Sequence, residues 1–498
     1  MSEAGLAAAR AKMQSAGVSD AAIEVFSTYY HQLESGETGL IREEEIEPLV
    51  EVDSLPTGPG APEADPTALG KTVLIRLNGG LGTSMGMDRA KSLLPVRDGM
   101  SFLDITVAQV LAARERYGVR LPLVFMNSFS TQEHTLEALA KYPDLQVEGI
   151  PLDFVQSKEP KLRADDLTPV EWPADPELEW CPPGHGDLYP SLLASGLLDQ
   201  LIDAGFTQAN VANSDNLGAG PSAEIAQWFM DSGAPYAAEI CVRTEMDRKG
   251  GHLARLRSDG RLILRDTAQT AKEDMKYAMD ETVHPYFHTN NLWFNLEALR
   301  EHLHATGGVM GLPMIRNEKT VDPRDPDSTP VIQIESAMGA AVLVFDGATA
   351  LEVPRARFLP VKTTNELLLV RSDAYDLDED FRLVLRADPA PVLDLSGHYK
   401  KIADFDARFP HGAPSLRAAR ALTVEGDYTF GASVRVVGDV TLPDDGGARL
   451  IADGAVLRGP GAEGVDETDE ERSPAVDPSL EGLPTPGPED DETGETRA

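Results

Sequence analysis

The chain is poor in cysteine, in positive charge and in long apolar runs. Only Cys181 and Cys241 occur in 498 residues. That excludes a disulfide framework or a thiolate metal cluster and makes a reducing cytoplasm the default setting. Lys and Arg number 44 against 82 Asp and Glu, a net charge of −38. So strong a negative field argues against nucleic acid and anionic membranes as partners. No stretch approaches a membrane span, and residues 1–17 lack the apolar core of a secretory signal. The chain therefore reads as soluble and intracellular. The same shortage of cations sets a problem, because any phosphate site here must be locally basic or hold a metal. The length predicts two or three domains and a large core.

What is present begins with a glycine-rich loop. An apolar, β-rich run over 72–77 breaks into Asn78-Gly79-Gly80-Leu81-Gly82, with Lys91-Ser92 shortly beyond. Glycines let backbone N–H groups approach a base or phosphate, and successive N–H groups form an anion-binding concavity. The lysine supplies a point charge. The spacing matches neither the P-loop nor the dinucleotide fingerprint. Two readings stand at this point, an ordinary turn or a nucleotide site of another fold.

Around this loop the chain divides. Residues 1–50 read as helical, with Val25, Phe26, Tyr29 and Leu33 at helical spacing. A Pro/Gly/Ala stretch over 55–70 reads as a linker. From Lys71 strands and helices alternate. Strands are expected at 72–77, 121–126, 154–156 and 208–212, and helices at 104–117 (capped by Asp104), 131–142, 190–203 and 223–230. That rhythm predicts a mostly parallel sheet covered on both faces, with ligands at the carboxyl ends of its strands. Asn78-Gly79-Gly80, Asn127-Ser128, Gln156 and Asn213-Ser214-Asp215-Asn216 all fall on that edge. Near the C-terminus Val424, Phe430, Val436 and Leu442 recur six apart, and Leu450 and Val456 resume the step. Stacked short strands would bury this ladder as a small parallel β-helix, the alternative being a meander. Residues 461–498 are acidic and almost without apolar content, so disorder is expected. The expected domains are 1–70, 71–385, 386–460 and the tail, 461–498.

Several residues offer chemistry. His185 lies in a glycine-flanked loop (Gly184, Gly186), either donating to a phosphate or ribose or satisfying a carbonyl. Asp215 at a strand end suits Mg²⁺, which takes few protein carboxylates beside phosphate oxygens, or else caps a turn. Lys249-Gly250-Gly251-His252 reads as a hairpin turn. Asn290 and Asn291 at the head of a strand can read sugar hydroxyls, with Trp293 beside them or in the core. Glu335 opens an expected helix over 335–341. Lys362 precedes an expected helix over 365–370 capped by Thr363 or Thr364, a place that favours anions, or is simply a solvated lysine.

Taken together, LNGGLGTSMG with Lys91-Ser92, PLVFMNSF, Gln156-Ser157, PPGHGD, NSDNLGA, KGG, TNNLW, VIQIESAMGAA, VPRARFLPVKTT and the terminal repeat resemble the UTP–glucose-1-phosphate uridylyltransferase family, the eukaryotic-type UDP-glucose pyrophosphorylases. The resemblance spans about residues 20–460. It implies an α/β fold, a Rossmann-like (GT-A-like) nucleotidyltransferase core with an N-terminal helical segment and a C-terminal left-handed parallel β-helix. It implies that Leu77, Asn78, Gly79, Gly80, Gln156 and Gly184 recognise uracil and ribose, that Lys91 binds the triphosphate, and that Asp215 holds Mg²⁺ and contacts the nucleotide. His185 and Asn213 would contact the phosphates, ribose or glucose phosphate. Gly251, Asn290, Asn291 and Glu335 would line the glucose pocket, and Lys362 would reach the reacting phosphates. Lys91 and Lys362 are the implied catalytic pair. The partners implied are UTP, glucose 1-phosphate, UDP-glucose and pyrophosphate, with no nucleic acid or membrane. A homo-oligomer through the exposed edge of the β-helix is also expected. Other sugar 1-phosphates, galactose or N-acetylglucosamine, are the alternative substrates, and a non-catalytic UDP-sugar sensor is the alternative of another class. Two departures stand out: Arg89-Ala90 precedes Lys91 where the family has Gly-Pro, and His288 stands where Asn is frequent.

Overall fold

In the computed structural model the described residues are 2–56, 64–244, 247 and 250–460. The expected acidic tail at 461–498, Lys249 and the middle of the expected linker lie outside them. Two helices open the chain, α1 (Ser2–Ser15) and α2 (Asp20–Glu34). Ser19 caps α2 by accepting from the Ala22 N–H. Their apolar faces, including Met13, Phe26, Tyr29 and Leu33, pack against Leu162, Met314, Ile332 and Ile334. Those last residues belong to a three-stranded sheet of Met314–Thr320, Pro330–Ser336 and Leu162–Arg163. The helical reading of 1–50 therefore stops at Glu34, because Ile46–Pro48 pairs as a strand with His252–Leu256.

The central sheet has eight strands: β1 (Asp53–Ser54), β2 (Thr72–Asn78), β3 (Leu123–Asn127), β4 (Asp153–Val155), β5 (Gln208–Asn213), β6 (Tyr236–Val242), β7 (Tyr286–Asn295) and β8 (Thr349–Glu352). Their order is β1-β8-β6-β7-β5-β2-β3-β4. Every pairing is parallel except the two made by β7. The sheet is thus mostly parallel, as the alternation of strands and helices predicts. Strands of such a sheet are buried on both faces and read as nearly continuous apolar runs. Alternate residues of β2 go to opposite cores, Val73 and Ile75 to one and Leu74 to the other.

Helix α3 (Phe102–Tyr117) covers one face. Its cap is Ser101, and Asp104 is the third helical residue, returning the bond to the Ser101 N–H, so the expected Asp104 cap is a capping box set three residues earlier. The expected single helix over 190–203 is two, Leu188–Ala194 and Leu197–Asp203, broken at Gly196 with its positive φ of 73°. Helix α4 (Ala223–Ser232) follows β5.

Towards the C-terminus all strand pairings are parallel. Val392–Leu395, Ser415–Val424, Arg435–Leu442 and Val456–Arg458 form one sheet, and Tyr428–Phe430 pairs with Arg449–Ile451. Val424, Phe430 and Val436 are buried as the repeat predicts. The step slips after the turn: Leu450 is 75% exposed, and Ile451, opposite Phe430, takes the inward place. A one-residue slip moves the side chains of a strand to the other face. This C-terminal core also takes in Met85, Leu94, Phe102 and Leu217, so it reaches the start of helix α3 and the loops that follow β2 and β5. Among the described residues no helix is long and apolar enough to cross a membrane.

Candidate active site

The carboxyl ends of β2 and β3 are tied together through their own amides, and Ser214 at the end of β5 joins them by donating from its hydroxyl to Asn78 Oδ1 at 3.3 Å. Asn78 Nδ2 donates to Asn127 Oδ1 and to Thr135 Oγ1, both at 2.8 Å, and Asn127 Nδ2 donates to Asp153 Oδ2 at 3.0 Å. Asn78 is buried by these bonds. Its side chain ties strand ends together and lies outside the cavities, contrary to the expectation that it faces a base. The loop beyond is open. Gly79 lies against Gln156, whose Nε2 is 2.7 Å from where a Cβ would stand, and nothing lies within 4 Å of the Gly80 position. The Lys91 N–H donates to the Gly80 carbonyl at 3.0 Å and closes the loop. Ala90 holds φ at −53°, within the range a proline ring would impose.

Two cavities meet at this edge. The first, about 300 Å³, is lined by Leu77, Gly79, Gly80, Lys91, Gln156 and Gly184, with Met126, Pro182 and Ser214. The second, about 160 Å³, is lined by Gly251, Asn290 and Lys362, with Gly250, Leu264, Asp266, Phe287, His288, Ala337, Phe358 and Pro360. His185, Asn213 and Asp215 belong to both. A larger cavity of about 440 Å³ lies behind Gln156, between the α1–α2 turn and Leu188–Ala194. It lacks both site lysines and Asp215, so size alone does not identify the centre of chemistry.

At the junction Lys91 Nζ sits 2.6 Å from Asp215 Oδ2 and also donates to the Val361 carbonyl. The Val361 N–H reaches the Asp215 carbonyl at 3.3 Å, Asn216 pairs with Pro360, and the Leu359 N–H donates to Asn216 Oδ1 at 2.8 Å. These bonds fasten the segment carrying Lys362 to the end of β5. Thr363 then caps α5 (Thr364–Arg371) in a capping box with Glu366, one of the two threonines expected to do so. Lys362 itself is exposed at the cavity wall.

Below this junction lies a buried network. Glu239 accepts from Arg357 Nε and Nη2 (3.0 and 2.8 Å), from Trp293 Nε1 (2.9 Å) and from Asn291 Nδ2 (3.0 Å). Burial pushes the Glu239 carboxyl up, but Arg357 and these donors outweigh it and hold the group below its usual range. Asn291 is fully engaged here and accepts from Asn216 Nδ2 at 3.1 Å. It does not line the second cavity, whereas Asn290, its neighbour in the middle of β7, does. Successive residues of a strand face opposite sides, and Asn290 additionally takes a left-handed φ of 60°, which asparagine tolerates. Trp293 lies in the core.

Glu335 also departs from expectation. It belongs to the strand Pro330–Ser336, and the turn of helix begins only at Met338. Its side chain is half-buried and lines neither cavity. The end of this strand instead shapes the histidine loop. Gly184 has φ 81°, and a Cβ there would lie 2.6 Å from the Ser336 carbonyl oxygen. His185 Nδ1 accepts from the Met338 N–H at 2.9 Å. Its proton therefore sits on Nε2, and burial holds the imidazole below its usual pKa, neutral near pH 7. His185 thus presents an uncharged N–H donor. His288 is likewise held neutral by burial, its pKa pushed down to about 4, with Nδ1 accepting from the Asn290 N–H. Two residues beyond His185, Asp187 accepts from the Ser157 N–H and hydroxyl (2.6 and 2.7 Å) and from the Ser191 hydroxyl (2.8 Å). This locks the histidine loop to Gln156-Ser157. Burial pushes Asp187 up to about 6 despite those bonds.

For a divalent cation the donor set is sparse. Among the described residues no group of three His, Cys, Asp or Glu could hold a metal by itself. Asp215 offers one carboxylate oxygen beyond the one held by Lys91. That fits Mg²⁺ carried in on phosphate oxygens, since this ion keeps most of its shell from phosphate and water. Asp266, Phe287 and Phe358 line the second cavity and escape sequence reasoning, because nothing local distinguishes them. Arg265-Asp266-Thr267 reads only as a turn cap.

A polar strand-end cluster, a glycine loop and two lysines separated by most of the chain leave little doubt about kinship once other proteins are compared. A family model described as UTP--glucose-1-phosphate uridylyltransferase matches residues 23–436. The UTP--glucose-1-phosphate uridylyltransferase of Musa acuminata is 38% identical over 416 residues, 82% of this chain and 86% of that one. The Saccharomyces cerevisiae protein of the same name is 39% identical over 396 residues, 78% and 77% of the two chains. A crystallised variant of UDP-glucose pyrophosphorylase from Leishmania major, in complex with UDP-glucose, superposes with a TM-score of 0.85 at 42% identity, covering 91% of this chain and 98% of that one. UDP-glucose phosphorylase from Trypanosoma brucei gives 0.82 at 40%, covering 92% and 100%. With the sequence, the fold and the strand-end geometry all in agreement, this chain belongs to the UTP--glucose-1-phosphate uridylyltransferase family.

Proposed function

We infer that this chain joins UTP and glucose 1-phosphate to give UDP-glucose and pyrophosphate. The observation that carries the assignment of roles is the junction of the two cavities, where Lys91, Asp215 and His185 meet the segment that bears Lys362. The larger cavity, walled by Gly79, Gly80, Gln156 and Gly184, takes the uridine; the smaller one takes the sugar. A phosphate oxygen of glucose 1-phosphate attacks the α-phosphorus of UTP. The bond from that phosphorus to the bridging oxygen breaks, and pyrophosphate leaves with the electron pair. The attacking phosphate is already anionic, so the chain supplies no base. What it supplies is position and positive charge, the main resources of such transfers. Lys91 exchanges Asp215 for the triphosphate, Lys362 reaches the reacting phosphates, and the neutral His185 donates from Nε2 without adding charge. Asp215 would hold Mg²⁺, which would supply further neutralising charge at the phosphates.

In this reading α1 and α2 brace the histidine loop through the sheet of Met314–Thr320 and Pro330–Ser336, residues 71–385 carry the chemistry, and residues 386–460 wind as a left-handed parallel β-helix. The exclusively parallel pairings there support that winding. The exposed Leu450 and the last strand, Val456–Arg458, offer an edge for a second copy. A cytoplasmic setting agrees with two buried free cysteines. The deciding experiment is pyrophosphate release from UTP, glucose 1-phosphate and Mg²⁺. Turnover is expected with all three and lost when any one is left out; a chain that releases none while still binding UDP-glucose is a sensor, and the reading fails.

A further inference from the structure

Arg355 and Arg357 open the segment that ends in Lys362, and they turn to different partners. Arg357 turns inward to Glu239, and its carbonyl accepts from Asn216 Nδ2 at 3.1 Å and from Asn291 Nδ2 at 3.2 Å. With the bonds from Leu359 and Val361 to the end of β5, this fixes the segment to the central sheet. Arg355 meets Asp247 with both ends of its guanidinium, Nη1 to Oδ2 and Nη2 to Oδ1, the latter at 2.9 Å. Asp247 Oδ2 also accepts from the Thr244 N–H at 3.1 Å and from the Thr244 hydroxyl at 2.9 Å. The Asp247 side chain is 8% exposed, so the pair escapes much of the screening that weakens an ion pair in water. Burial pushes the Asp247 carboxyl up, but Arg355 and Thr244 outweigh it and hold the group below its usual range. The Arg355 guanidinium lies 5.2 Å from the centre of the Phe358 ring, which packs on Phe287 at 5.3 Å.

The two partners belong to different walls of the second cavity. Asp247 shortly precedes Gly250 and Gly251, and Arg355 shortly precedes Phe358, Pro360 and Lys362. These glycines, Phe358, Pro360 and Lys362 line the cavity, whereas Asp247 and Arg355 do not. The Gly250 N–H donates to Thr267 Oγ1 at 2.9 Å, and the Gly251 carbonyl accepts from the His288 N–H at 3.0 Å. Those bonds fasten the glycine wall to the turn Thr267–Gln269 and to β7, and neither reaches the lysine wall. Among the described residues Asp247–Arg355 is the only ion pair between residues 243–251 and 354–362. A two-point arginine–carboxylate pair fixes angle as well as distance. A lysine in the same place is a point charge and fixes no angle.

We propose that Asp247 and Arg355 are positioning residues, whose ion pair sets the reach between Gly250-Gly251 and Lys362 and so the fit of a sugar phosphate in the second cavity. The inference rests on the reading above of that cavity as the sugar side, and it adds a pair that acts without touching substrate. Misplacing a reacting group by about 1 Å costs up to about 100-fold in rate.

The test uses the full chain and the variants Asp247→Asn, Arg355→Gln, Arg355→Lys and the double variant Asp247→Asn/Arg355→Gln. At saturating UTP each single variant should lower kcat/KM for glucose 1-phosphate by about 10-fold or more, with KM for UTP within about twofold of wild type. The double variant should lose no more than either single one, because the two residues act as a unit. Arg355→Lys keeps the charge and loses the fork, so it should fall with Arg355→Gln. UDP binding by calorimetry should match wild type throughout, which separates a displaced wall from a damaged fold. Should Asp247→Asn fold poorly, Arg355→Lys, which leaves Asp247 beside a cation, carries the same comparison. Unchanged kinetics in the single variants, losses that multiply in the double variant, a wild-type-like Arg355→Lys, or equal rises in KM for both substrates overturn the inference alone. A wild-type chain with no pyrophosphate release overturns the reading on which it rests.

Discussion

The two cavities that meet at Asp215 are built on opposite plans. The cavity of about 300 Å³ is mostly backbone: Gly79, Gly80 and Gly184 present main chain, with Gln156 reaching in. The cavity of about 160 Å³ is mostly side chain, with Asn290, Asp266, His288, Phe287 and Lys362. Backbone walls depend on glycine at set places and tolerate little added bulk, whereas side-chain walls depend on the network that holds each group. The two sides should therefore fail differently when altered.

The largest expected effect is on the side-chain wall. Lys362→Ala removes an exposed cation that makes no bond to the described residues, so the fold should be unchanged while kcat falls by about 10²- to 10³-fold. Near-normal turnover would remove Lys362 from the chemistry. Next is Asp187, which joins the two walls. Its rise from 3.8 to about 6 corresponds to roughly 3 kcal/mol. The folded chain holds that proton more tightly than the unfolded chain does, so the contribution is full below the unfolded value and is lost as pH rises through about 6. Stability relative to Asp187→Asn, measured by denaturant titration, should thus fall between about pH 4 and 6; a flat difference would refute the assignment. The backbone wall is tested by a pair of substitutions. Gly184→Ala forces a Cβ into the Ser336 backbone at a φ that side chains avoid and should cost about 1–3 kcal/mol. Gly80→Ala meets nothing and should leave thermal stability unchanged. Equal melting temperatures for the two would erase the contrast. The smallest effect is Thr363→Ala, which removes the cap of α5 at about 1 kcal/mol and should lower kcat by releasing Lys362.

How much of this was legible in the sequence follows from the range of each interaction. The strand over 72–77, the caps at Thr363 and near Asp104, and the gathering of Asn127, Gln156 and Asn213 on one edge rest on local patterns. The facing directions of Asn291 and Glu335 depend on register against distant strands, which no local pattern carries. Two adjacent amides look alike in a sequence, but the Asn216 and Glu239 side chains claim one of them. The slip from Leu450 to Ile451 arose in the turn at 444–448, whose length disturbs a counted period. Asp266 carries no local signal beyond a turn cap, since its place at the cavity wall is set by Phe287, Phe358 and Lys362, which arrive from elsewhere in the chain.

The bonds from Val361 and Leu359 to Asp215 and Asn216 carry a consequence for synthesis. Lys91 and its acceptor on Val361 are 270 residues apart. At about 5–20 residues per second, a nascent chain exposes its glycine loop and Asp215 well before Lys362 leaves the ribosome. During that interval Lys91 lacks its Val361 acceptor, and the histidine loop lacks the Ser336 and Met338 backbone it packs on. The two cavities are therefore completed late and together, when the 330–338 and 359–362 segments close against the strands already in place.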